Sequence, residues 1–173
     1  DEEREVKRKY REDLDDIRRH SEEVLKRYDE AVKKLDEDLK KVVEEYERAL
    51  EEIVRRAGED EELRREVEEN RKRNEDKART KREDHKRNSK RYKDEHDRLE
   101  KEHRENEKRK DDENSSEEEM SKDLERELRR SRRENERLAK ELEDALRKSE
   151  EDIRRLVEEN KERLERLERE LSR

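Results

Sequence analysis

Four histidines, His20, His85, His96 and His103, are the residues best placed to do chemistry near neutral pH. An unperturbed imidazole changes charge there, and a neutral one can ligate a metal. A helix chelates one ion with ligands at i and i+4. His96 and His103 are seven residues apart, about 10 Å along a helix axis, so they share a face without sharing an ion. His20 falls level with His96 in the register derived below, near Glu134 or Asn135. A satisfied core imidazole is the simpler reading of each, and no metal or other cofactor is expected.

The other routes to catalysis are thin. Carboxylates are abundant but spread over charged surfaces, with no concave apolar pocket to raise a pKa or exclude water. Serines occur, yet no spacing sets one beside a histidine and a third, orienting group. There is no glycine-rich phosphate loop. Without cysteine there is no thiolate site and no disulfide framework. The expectation is a chain with no catalytic residues and no small-molecule substrate.

Nucleic acid is the partner class that most needs weighing. Residues 71–110 carry 18 Lys/Arg against 11 Asp/Glu, including Arg71-Lys72-Arg73 and Lys108-Arg109-Lys110, with Tyr92 available to stack. Acidic residues interrupt this run throughout, and both flanking segments are net acidic. Counterion release would be weak, so no nucleic-acid binding is expected. The overall charge of −8 comes from closely interspersed signs, which suits salt-bridged surfaces better than a membrane or polyanion partner. No apolar run reaches the length of a signal-peptide core or a membrane span, so a soluble chain without a targeting signal is expected.

These residues need elements to position them. Charged residues make up 66% of 173 positions and apolar ones 22%, with no proline and one glycine. Ordinary domains are roughly 45–50% apolar and about 25% charged. Low hydrophobicity alone signals disorder. The residues chosen, however, are Glu, Lys, Arg, Leu and Ala, which are strong helix formers. Only two places look like chain reversals. At Ala57-Gly58-Glu59-Asp60, glycine can end one helix in the left-handed conformation and Asp60 can cap the next. At Asn114-Ser115-Ser116, asparagine can serve as the terminator, and Ser116 with Glu119 forms a capping box. Helices over about 1–57, 61–113 and 117–172 follow. Short connections between long helices predict antiparallel neighbours running up, down and up.

The first helix repeats every 18 residues: Val6, Val24 and Val42; Tyr10, Tyr28 and Tyr46; Leu14, Val32 and Leu50; Ile17, Leu35 and Ile53. The second repeats Asn70, Asn88 and Asn106, and the third Leu128, Leu146 and Leu164. Eighteen residues are five full turns, so each series stays on one face without the supercoil that heptads impose. The reading is all-α: a straight antiparallel three-helix bundle with an 18-residue repeat, forming one domain over 1–173. If residues equidistant from Gly58 face one another, Tyr10, Tyr28 and Tyr46 meet Asn106, Asn88 and Asn70. Applying the same rule about Ser115 adds Leu124, Leu142 and Asn160 to those layers, and elsewhere sets Ala31 and Ala145 level with His85.

The inward stripe of the second helix is unusually polar: Asn70, Asn74, His85, Asn88, His96, His103 and Asn106 lie among Leu63, Val67, Ala78, Tyr92 and Leu99. A buried amide or imidazole left unpaired costs a few kcal/mol, so partners are required. The tyrosine–asparagine coincidences predict repeated hydrogen-bond layers, with Asn135 and Asn160 as candidates on the third helix. Such layers penalise shifted registers and wrong partners at some cost in stability. Buried neutral histidines would also make the bundle weaker near pH 5–6.

With these caps, the 18-residue modules and surfaces such as Leu156-Val157-Glu158-Glu159-Asn160-Lys161-Glu162-Arg163-Leu164, the chain resembles computationally designed, idealised helical bundles with modular buried hydrogen-bond networks. The resemblance covers the whole chain and implies a structural scaffold without evolved biochemical activity, its polar layers specifying register and partner choice. A monomer is expected. Leu25, Val43, Val54, Leu146 and Val157 widen the apolar faces of the outer helices, and the alternative is a self-assembling homo-oligomer.

Overall fold

The computed structural model describes residues 2–112 and 116–173. Three long helices, α1 (Glu2–Ala57), α2 (Glu61–Asp112) and α3 (Glu117–Leu171), form an all-α three-helix bundle in which every pair of helices is in contact. The helix limits fall within a residue of those expected. Asp1, Glu113 and the expected turn residues Asn114 and Ser115 lie outside the described residues.

The first reversal has the anticipated chemistry. Gly58 takes φ +61°, and the Asp60 amide donates to the Ala57 carbonyl at 3.2 Å. A side chain at Gly58 would meet nothing within 4 Å, so backbone conformation alone selects glycine. Asp60 Oδ1 then accepts from the Leu63 amide at 3.2 Å, satisfying one of the free N–H groups that open α2. At the start of α3, Ser116 Oγ accepts from the Glu119 amide at 3.3 Å, with Glu117, Glu118 and Glu119 set against the positive helix end.

Contacts divide the chain into two compact units, each with a stretch of all three helices. The unit made by Glu30–Arg87 and Ala145–Arg173 contains the first reversal. Beside the turn, Tyr46, Leu50, Ile53, Leu63, Val67 and Leu167 form its larger apolar cluster. A second cluster joins Leu39, Ala78, Ile153 and Leu156. Each fully buried aliphatic side chain contributes about 1.5–3 kcal/mol relative to exposure.

The other unit, Asp1–Asp29 with Asn88–Asp144, packs Tyr10 against Met120, Leu124 and Leu128, flanked by Val6, Leu14 and Ile17. That cluster comes entirely from α1 and α3. The α2 stretch adds buried Tyr92 and Leu99 but otherwise turns His96, His103 and Asn106 toward its neighbours half-buried. Polar contacts therefore carry more of the α2 docking in this unit.

Candidate functional site

In the unit containing the first reversal, His85 projects from α2 between α1 and α3. Its Nδ1 lies 2.8 Å from Asp36 Oδ1, and its Nε2 is hydrogen-bonded to Ser149 Oγ. An ionised carboxylate can only accept, so Nδ1 carries a proton, and in the neutral imidazole Nε2 must accept from the serine hydroxyl. His85 and Ser149 are buried, while the Asp36 side chain is 33% exposed. One turn away, Lys81 and Asp152 form a half-buried ion pair between α2 and α3.

The expected register set Ala31 and Ala145 level with His85. The partners are Asp36 and Ser149, each about one turn further on. Side chains on a helix lean toward its N-terminus, so on antiparallel neighbours they lean in opposite directions, and His85 reaches partners away from its own Cα level. His103 shows the same offset in the other unit, with Nε2 3.0 Å from Ser131 Oγ. Between α1 and α3, which run parallel, Ser21 Oγ donates at 2.8 Å to Asn135 Oδ1, its level partner.

His85 and His103 are one 18-residue module apart, as are Ser149 and Ser131. The α1 member differs. The module that places Asp36 beside His85 has Arg18 at the equivalent position of the other unit, where it pairs with Glu100 at 3.7 Å. His103 Nδ1 is consequently buried without a partner, and burial holds its imidazole below the usual histidine pKa against the pull of Glu127, Glu102 and Glu134. Both ring nitrogens of His96 are also buried without a hydrogen bond. His20 is exposed, and among the described residues no group of three His, Cys, Asp or Glu could hold a metal ion.

The three expected tyrosine–asparagine layers differ from one another. Asn88 Nδ2 donates to Tyr28 Oη at 3.3 Å. Tyr10 Oη instead donates to Glu127 at 2.6 Å, and burial with that bond raises its pKa. Tyr46 Oη is buried without a hydrogen bond, close to Arg163 and Arg73, with its pKa raised by burial. Asn70 and Asn106 are half-buried. Asn74 and Asn160 are buried with both amide atoms unpaired, and Tyr92 Oη has Ser21 nearby but no hydrogen bond. Tyr10 is diverted because Glu127 offers a charged acceptor, a stronger partner than a neutral amide.

Sequence reasoning missed Asp36, Ser149 and Ser131 as partners of the histidines. A signal existed. Ser21, Ser131 and Ser149 interrupt the apolar stripes of α1 and α3, and two of them repeat at the histidine spacing. Small hydroxyls on a core stripe facing imidazoles mark a hydrogen-bonded layer.

No family model, curated protein or solved structure matches this chain.

Proposed function

We propose that this chain is a designed helical scaffold with no evolved biochemical activity, in which buried polar layers set helix register and partner choice. The Asp36–His85–Ser149 layer is the observation that carries this reading, because one imidazole bonds to side chains of both other helices. Sliding α2 by one residue would rotate His85 by about 100° away from both partners. An apolar layer tolerates such a slip far better, since dispersion and burial are not directional. No helix among the described residues is long and apolar enough to cross a membrane. The interleaved charges of α2 argue against a nucleic-acid partner.

The test is to replace the layer by apolar residues, Asp36→Leu, His85→Leu and Ser149→Ala together. The expected product is at least as resistant to urea as the parent but populates more than one oligomeric species in sedimentation velocity. A triple variant that is destabilised yet still sediments as the same single species as the parent would remove the register role.

One observation favours self-assembly as a second reading. Val157 is 47% exposed, at the edge of a groove of about 570 Å³ between α1 and α3 that is also lined by half-buried Val42 and Leu164. Exposed apolar grooves invite association. Sedimentation across a hundredfold concentration range distinguishes the readings, and Val157→Lys would dissolve such an assembly.

A further inference from the structure

Asp36, His85 and Ser149 stand in the order of a carboxylate, an imidazole and a hydroxyl, the arrangement that activates a serine nucleophile. We infer that Ser149 is a general-base-activated nucleophile that reacts once per chain with small, uncharged phosphoryl or acyl electrophiles. Asp36 holds Nδ1 protonated, which leaves the Nε2 lone pair aimed at the Ser149 hydroxyl. With a dialkyl fluorophosphate, a bond forms from Ser149 Oγ to phosphorus as the P–F bond breaks. Fluoride leaves with its electron pair. The hydroxyl proton passes to His85 Nε2, Asp36 stabilises the resulting imidazolium, and that proton is then lost to water.

The reaction stops at the adduct. Ser149 sits mid-helix, where backbone N–H groups are committed to carbonyls one turn back, so no pair of free amides awaits an oxyanion. The adduct should persist.

Ser149 is 3% exposed, so access matters. A groove of about 700 Å³ runs between α2 and α3 over an apolar floor of Leu39, Ile153 and Leu156. Lys81, Asp84 and Asp152 line this groove; Asp84 adjoins His85 in sequence, and Lys81 and Asp152 stand one turn from His85 and Ser149. The Lys81–Asp152 ion pair joins α2 and α3 there. Lysine side chains are long and mobile, so displacing this pair opens the space between the two helices more readily than displacing packed aliphatic residues would.

The molecule carries its own reference. Ser131 bonds to His103 as Ser149 does to His85, but no carboxylate holds His103 Nδ1. Diisopropyl fluorophosphate is added to the full-length protein and to Lys81→Ala, and the modified residue is identified by peptide mass mapping. Labelling is expected on Ser149, faster in Lys81→Ala, and at least about tenfold slower on Ser131. His85→Gln should lower labelling of Ser149 by roughly a hundredfold. Asp36→Asn, at a part-exposed site, should slow it while leaving the circular dichroism unchanged, which keeps the test valid if His85→Gln unfolds. No adduct on Ser149 in either the parent or Lys81→Ala, or equal labelling of Ser149 and Ser131, overturns the inference.

Discussion

Asp36 Oδ1 accepts the Nδ1 proton of His85 across 2.8 Å, and this contact fixes the tautomer in which Nε2 faces the Ser149 hydroxyl. Replacing Asp36 by alanine should cost about 1–3 kcal/mol in urea denaturation at pH 7, since the imidazole loses a charged acceptor. A variant as stable as the parent would show that this contact contributes nothing to the fold.

His103 should carry acid sensitivity. Burial lowers its folded-state pKa below the unfolded value, so the neutral form is favoured in the native state. Its contribution is intact above the unfolded pKa near 6.5 and is lost as pH falls through the lower folded value. Glu127, Glu102 and Glu134 oppose the shift, and Arg130 reinforces it. The melting temperature should therefore fall between pH 7.5 and pH 5, and His103→Asn should flatten that dependence. A parent and variant with parallel profiles would assign the sensitivity to carboxylates.

Asn74 is 1% exposed with neither amide atom hydrogen-bonded. Leucine has the same γ-branched shape and no desolvation penalty. Asn74→Leu should raise stability by about 1–3 kcal/mol, read as a higher urea midpoint at unchanged slope. Asn160→Leu should behave alike. A loss of stability in both would mean that bound water satisfies these amides.

Glu66 and Glu170 share a hydrogen bond that needs a proton, and the pKa of Glu66 is pushed up to about 7 by that bond, by burial and by the neighbouring charge. A raised folded pKa means stabilisation that is complete below the unfolded carboxylate value near 4.5 and lost as pH rises through about 7. The site is largely solvated, so the effect is small. Glu66→Gln supplies a permanent donor and should raise the melting temperature at pH 8 but not at pH 5. A gain of the same size at both would point to simple relief of charge repulsion.

Helix content, the first turn and the three-helix architecture were legible in the residues themselves. Proline-free runs of strong helix formers, Gly58 before Asp60, and stripes repeating every five turns act locally and need no knowledge of neighbours. Which polar groups meet was a different matter. Tyr10 found Glu127 and not Asn106, and His85 found Asp36 and Ser149 one turn beyond its level partners. Backbone periodicity specifies the height of a Cα, whereas hydrogen bonds depend on where side-chain tips lie after leaning along their helices, and antiparallel neighbours lean in opposite directions. That displacement, about one helical turn at His85, is what only the packed tertiary structure decides.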